Sequence, residues 1–491
     1  MFFISKDLQP FSVVEDTGFK KLCQTLIEIG AKHGSLSIED LLYDRTHLSK
    51  YILPQIYNEC RNNLKLEIQG IEYGSITTDL WTDDIIKNSY QVFTYHFIDH
   101  DWKLKAKCLG LYDFPDSKTG LAIRAKTHDV MQKFISPEAI SNMTFVTDNG
   151  SNMKSAYRTD KRISCAAHNL NLVVDKALKD SAIEPVVEII KIAKEVVCYF
   201  KHSGQNKNLQ HTLKQDVATR WNSQFFLLQS LMTELEEIKN ILHQEKLYDK
   251  LEKLNNIDVD LLSQLIDFLK PFHEATVYLS KDAVPTLPDV WPMFHKLKRV
   301  CSVVDTDLEP IKDLKATFMK CLEEKYQIDT NHKLGTLICP DYKFLTFLDP
   351  DEKAEVYKAM TNKINLMAKS EPSKISERNE PPNKKIKTSD LLGEFKNVPL
   401  SIETANDVEL DKYLLMPISQ SDILTFWESI DKARSLPIMT KIAKELIAIP
   451  ATSTPSERAF SLCGRIFEER RSRLSPETLE QLLFLKYNFT F

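Results

Sequence analysis

The feature that most limits the fold is a change of period part-way along the chain. Gly74 to Trp81 is β-rich, Gln91 to Asp99 (QVFTYHFID) is aromatic and β-branched, and Lys103 to Cys108 alternates polar and apolar at period two. Leu121 to Phe134 reads as a helix, and Met143 to Thr147 as a short apolar strand ending in Asp148-Asn149-Gly150. From about 180 to 340 the spacing is helical almost throughout, as in Val187, Ile190 and Val197, then Leu261, Leu265, Phe268 and Leu269. Residues 1–70 are also helical in pattern, with Phe19, Leu22, Leu26 and Ile27 on one face. Such a chain folds as a small sheet joined to a large helical block.

Three strands, a helix and a fourth strand is the order of an RNase H-like sheet, although many folds share pieces of it. At roughly 100–200 residues per domain, 491 residues suggest two to four domains. With 64 basic against 69 acidic residues the net charge is −5, so any nucleic-acid contact must come from local basic patches. Only 12 glycines, and no G-x-G-x-x-G or G-x-x-x-x-G-K-[ST] string, argue against a nucleotide cofactor. The opening MFFISKDLQ is charged too soon for a secretory signal. The most apolar stretch, Val186 to Phe200, is broken by Glu188, Lys191, Lys194 and Glu195, so no membrane span and a soluble, intracellular protein are expected. Nine cysteines, none in a C-x₂₋₄-C pair, read as reduced core residues, and no zinc site is evident. Residues 369–390 are polar with three prolines and read as a disordered loop. Within it, Lys384-Lys385-Ile386-Lys387 is either a nuclear import signal or a solvated charged run.

Two aspartates fall where a sheet makes polar residues costly. Asp79 lies in the first strand and Asp148 ends the fourth, where Asp-Asn-Gly also suits a turn. In the RNase H-like order these strands are neighbours, and paired carboxylates are best relieved by hard divalent cations, magnesium or manganese. Thr454-Pro455-Ser456-Glu457 has the T-x-x-E pattern of a capping box, so Glu457 either caps its own helix or, aimed at the packed side of Phe460 and Cys463, joins the aspartates. Cys165 and His168 have the spacing of two metal ligands or of a satisfied helix histidine, with no second ligand pair in view. Trp221 and Phe225, four apart, are either core or, with Arg220, a phosphate hook and a stacking face for an unpaired base.

Five strings in order, TTDLWTDD (77–84), VTDNGSNM (146–153), CAAHNLNLVV (165–174), TRWNS (219–223) and IPATSTPSERAFSLCG (449–464), followed by RRSRLSPETLEQLLFLK, resemble the hobo–Activator (hAT) transposase superfamily, in particular its BED-finger-related branch. The resemblance runs from about residue 10 to the end. It implies an α/β RNase H-like catalytic core interrupted by a large all-α insertion domain, with a C-terminal hAT dimerisation region. The corresponding divisions are 1–70 for the N-terminal helical segment, 71–180 for the first part of the core, 181–440 for the insertion and 441–491 for the remainder.

It also implies a DDE triad of Asp79, Asp148 and Glu457 binding two magnesium or manganese ions for DNA strand cleavage and transfer. Cys165 and His168 match the family's C-x-x-H motif, with His168 toward DNA, and Arg220 and Trp221 match the pair that handles a flipped or hairpinned DNA end. The expected partners are DNA and a second copy, as a homodimer or higher oligomer, in the nucleus. The alternative is a domesticated or truncated nuclear regulator without catalysis. The chain begins about where the family's BED zinc finger should have ended and lacks the His-Thr pair often found at 116–119. Binding carried only by Lys296, Lys298 and Arg299, and by Arg470, Arg471 and Arg473, is then expected to be salt-sensitive and nearly sequence-blind. Leu474, Leu479, Leu482, Leu483, Leu485 and Tyr487 are expected to pack with Phe426, Trp427 and Leu436 as a dimer surface.

Overall fold

The structure, a computed structural model, describes residues 4–5, 9–83, 87–180, 183–217, 221–370, 407–417, 421–466 and 474–489. Arg220, Lys384 to Lys387, Arg470, Arg471, Arg473 and most of the expected loop lie outside them. The chain divides into two compact units, residues 1–63 and 64–491. In the first, the helix Thr17–His33 buries none of its side chains, and Phe11, Ile27 and Tyr43 are all more than half exposed. No helix among the described residues is long and apolar enough to cross a membrane.

The second unit is built on a five-stranded sheet of β1 (Ser75–Thr82), β2 (Ser89–Ile98), β3 (Leu104–Asp113), β4 (Thr144–Thr147) and β5 (Lys161–Ser164), in the order β3-β2-β1-β4-β5. β1, β2 and β3 are antiparallel neighbours, while β4 runs parallel to β1 and β5 parallel to β4. The β2–β3 register shifts after Phe93, and Gly110 opposite it sits at φ +134°, where a Cβ would meet the Tyr112 ring at 2.8 Å; only glycine fits that bulge. α1 (Gly120–Met131) connects β3 to β4 and begins at Thr119, whose hydroxyl accepts the Ala122 N–H. α2 (Ser151–Ala156) joins β4 to β5, and α3 (Ala166–Asp180) follows β5.

Alternation along β1 sends its residues to two different environments. Thr78 faces α1, where the Gln91 amide donates to Thr78 and Thr127, and Thr127 in turn meets the Tyr157 hydroxyl at 2.8 Å. Ser75, Thr77 and Trp81 face the C-terminal part of the chain. There α8 (Pro437–Ile447) leads into α9 (Thr454–Ile466), after the helical block that contains α4 (Asn222–Thr233), α5 (Val259–Leu279), α6 (Leu287–Val300) and α7 (Pro350–Ser370). Ser75 donates to the Ala448 carbonyl at 2.7 Å, Ser456 donates to Thr77 at 3.3 Å, and Trp81 stacks on Phe460 at 5.9 Å.

The helices serve two cores. One gathers Leu170, Phe200, Leu228, Leu265 and Phe318; the other joins Trp291, Leu337, Met360, Trp427 and Leu446 to Ile98, Trp102, Val146 and Ile163 of the sheet region. Residues 181–440 therefore do not share one interior, and their later part closes on the sheet. α10 (Pro476–Asn488) corrects another expectation. Leu479 and Leu483 pack with Tyr90, Cys108 and Phe460, not with Phe426, Trp427 and Leu436, which belong to the second core. The reason is the β3 edge, which offers an apolar face directly: Phe484 stacks on Phe134, and Asn488 donates to the Cys108 carbonyl at 2.7 Å.

Candidate active site

The site grows from the β1–β4 register. Ser75, Ile76 and Thr77 pair with Thr144, Phe145 and Val146, and carrying that parallel register two residues further sets Asp79 beside Asp148 on one face. Both then lie toward the carboxyl ends of adjacent parallel strands, where open α/β sheets place ligands. Asp79 is half-buried and its carboxylate accepts its neighbour's Leu80 N–H at 2.8 Å. Burial first, then the charges of Asp148 and Glu457, push its pKa up to about 7, against the opposing Leu80 N–H and a smaller pull from Lys118. Asp148 and Glu457 thus both act on the Asp79 charge, although among the described residues no three His, Cys, Asp or Glu side chains converge as a group that could hold a metal ion.

Asp148 does form the turn that its sequence suggested. Its carboxylate accepts the Gly150 N–H at 3.1 Å as α2 begins, and a Cβ on Gly150 would press on Asn152 at 2.8 Å and on the Asp148 carboxylate at 3.2 Å. Arg162 fixes the loop from β5, donating to the Asp148 carbonyl, to Thr147 at 2.8 Å and to Asn149 at 3.0 Å. Asn149 donates to Asn169 at 2.6 Å, which donates to Ser164 at 2.9 Å. Sequence reasoning assigned no role to Arg162 or Asn169; their only signal was proximity to the DNG and C-x-x-H strings.

Cys165 joins this loop to the glutamate's helix. Its buried sulfur accepts the His168 N–H at 3.4 Å and the Ser453 N–H at 3.3 Å, while Ala166 donates to the Ala451 carbonyl at 2.9 Å. The C-x-x-H spacing therefore pins residues 451–453 to the start of α3, and burial raises the thiol's pKa. α9 starts at Thr454, whose hydroxyl donates to Ser280 at 3.2 Å. Ser456, Thr77 and the buried His96 form a chain that ties α9 to β1, with His96 held neutral by burial at a pKa of about 3.

Glu457, His168 and Trp221 line one cavity of about 420 Å³, together with Asn171, Asn222 and Ser280. Trp221 is only 5% exposed, so it is a wall of the helical core and not an open stacking platform. Its backbone N–H donates to Asn171 at 3.1 Å, but among the described residues its indole nitrogen and the Asn222 carbonyl oxygen are buried without partners. The basic residues of α6 do not form one patch. Lys298 pairs with Glu323 at 2.8 Å, whereas Lys296 and Arg299 are exposed on a separate groove.

Comparison with known proteins places this geometry in a family. Residues 77–174 match a family described as the ZBED1 RNase-like domain, 163–268 the ZBED1 RNase-like helical domain, and 409–489 the hAT family C-terminal dimerisation region. Residues 2–47 match the Hermes transposase DNA-binding domain, a role that the helical N-terminal pattern did not announce because it carries no cysteine–histidine set. The chain is 26% identical to the Hobo transposase of Drosophila melanogaster over 93% of its own length and 77% of the relative's. It is 24% identical to human zinc finger protein 618 over 98% of itself, and 24% to human zinc finger BED domain-containing protein 4 over 99%, spanning only 50% and 42% of those proteins. The chain belongs to the hAT superfamily.

Proposed function

We propose that the chain cleaves and transfers DNA strands, with an RNase H-like core split by a helical insertion and Asp79, Asp148 and Glu457 as its catalytic carboxylates. The observation that carries this reading is the meeting of Asp79 and Asp148 on neighbouring parallel strands, with Asp79 raised to about 7. Uncompensated like charges are costly, and such strongly shifted groups cluster at functional sites. The donors are all oxygen and suit magnesium or manganese. Among the described residues no group of three His, Cys, Asp or Glu side chains is placed to hold an ion, so the three carboxylates would have to draw together around one. A bound metal pair would activate water or a 3′-hydroxyl and steady the leaving oxygen during in-line phosphoryl transfer.

The chain's own residues prepare the reaction. Arg162 and Gly150 hold the Asp148 loop, Cys165 holds the approach to Glu457, and the cavity lined by Glu457, His168 and Trp221 would receive a DNA end beside the carboxylates. Arg220 stands next to Trp221 in sequence and would serve the adjoining phosphate. The region matched at 409–489 would pair two copies, and the work would be done in the nucleus.

A strand-cleavage assay with magnesium or manganese tests the reading. Wild type should cut nicked or duplex DNA and be silent with chelator. Glu457→Gln should lower the rate at least ~10³-fold, a barrier increase of about 4 kcal/mol, at unchanged thermal stability. A pure capping role predicts unchanged cleavage, since glutamine also completes a capping box. A second reading, a transposase-derived regulator without cleavage, draws on the relatives named as zinc finger proteins. It stands if wild type binds no divalent metal and cuts none of these substrates.

A further inference from the structure

α6 begins beside Thr286, whose hydroxyl accepts the Ala451 N–H at 2.9 Å, three residues before Thr454. Ten residues along, at 1.5 Å per residue, Lys296 lies about 15 Å from that end. Here a groove of about 650 Å³ is lined by His295, Lys296, Arg299, Asp341, Tyr342 and Phe347. Lys296 and Arg299 are both exposed, and among the described residues neither has an ion-pair partner, unlike Lys298 with its Glu323.

The opposite wall is aromatic and rigid. The Phe347 ring stands edge-on to Trp291 at 5.5 Å and lies 4.9 Å from His295, and the Tyr342 hydroxyl donates to Asp289 at 3.0 Å. Between them Leu345 is fully buried at φ +46°, a conformation that non-glycine residues rarely adopt. Its N–H donates to the Tyr342 carbonyl at 2.8 Å and its carbonyl accepts from Leu348 at 3.0 Å, so this strained turn fixes where Tyr342 and Phe347 stand. Burial and the nearby Lys298 and Arg299 charges depress the His295 pKa, against the pull of Glu352, while the Asp341 carboxylate also lines the groove.

Two free cations facing a fixed aromatic wall suit a phosphate and a base together. We propose that this groove seats one unpaired nucleotide of a DNA strand, its phosphate on Lys296 and Arg299 and its base against Phe347. The proposal rests on the DNA-handling reading above and adds a strand contact away from the carboxylates. About 15 Å separates the groove from the segment at Ala451 that leads into the Glu457 helix, a span of a few nucleotides.

The test is anisotropy with a labelled single-stranded oligothymidine and with a duplex of equal length, in chelator, so that cleavage plays no part. The double variant Lys296→Ala, Arg299→Ala should flatten the single-strand salt slope by about 0.7, the share of the one phosphate that both cations hold. Lys298→Ala should leave it unchanged. Phe347→Leu, which keeps an apolar contact with Trp291, should weaken single-strand binding about tenfold while sparing the duplex. If wild type binds DNA and the double variant and Phe347→Leu bind as it does, or if Phe347→Leu weakens both probes equally, the groove is not a nucleotide site. If wild type binds neither probe, the DNA-handling reading falls and this proposal falls with it.

Discussion

Two carboxylates, one on a helix that packs beside the sheet and one within the sheet, have opposite surroundings. Glu445 on α8 is buried, but it meets Lys161 of β5 at 3.1 Å and Lys363 of α7 at 2.8 Å. Burial raises its pKa, yet the two lysines outweigh that and leave it below the usual range. Asp79 on β1 has two carboxylates for company, opposed only by the Leu80 N–H and a weaker pull from Lys118, and its pKa rises to about 7. A buried charge that is paired holds elements together. One left facing its own kind has been kept at a cost in stability, which points to something that binds there.

The comparison breaks most visibly if the paired carboxylate is removed. Glu445→Ala leaves two lysines facing a hole, a change that costs about 3–5 kcal/mol for a fully buried pair. Lys161 is 47% exposed and can turn to water, so the expected loss is nearer ~2–3 kcal/mol. Chemical denaturation at neutral pH measures it. Because the Glu445 pKa is depressed on folding, its contribution is present above the unfolded value near 4.5 and is lost as pH falls through the folded value. The penalty of the substitution should fade in acid.

Asp79 should behave with the opposite sign. Its folded pKa lies above the unfolded 3.8, so ionisation makes folding progressively less favourable as pH rises from about 4 to about 7. Asp79→Asn should therefore stabilise the protein at pH 8, by about 1–3 kcal/mol after allowing for its partial exposure, and the gain should vanish below pH 4. Parallel denaturation curves for Asp79→Asn and wild type at pH 4, 6 and 8 read this directly. A constant difference across that range would mean that the aspartate feels no unrelieved charge.

What could be read from the sequence follows from how local its cause was. The four expected strands and α1 appear near their expected places because each has a period and a boundary of its own, such as Thr119 ahead of α1. β5 was missed because Lys161-Arg162-Ile163-Ser164 is too short and too charged to show any alternation. Asp79 and Asp148 were legible because a polar residue in an apolar strand is conspicuous. Arg162, Asn169 and the Ser456–Thr77–His96 chain were not, since each depends on pairing between segments far apart in sequence. Trp221 read from sequence as either core or a stacking face; tertiary packing buries it, and among the described residues its indole nitrogen has no partner.

The central claim is that Asp79, Asp148 and Glu457 form a cation site whose repulsion a divalent ion relieves. Thermal melting with increasing manganese, for wild type and Asp148→Asn at pH 8 and pH 6, tests it most directly. The account predicts that manganese stabilises wild type, by about 2.7 kcal/mol at a hundredfold excess over Kd, more at pH 8 than at pH 6, and that Asp148→Asn loses the effect. Equal stabilisation of both proteins, or none of the wild type at either pH, would contradict it.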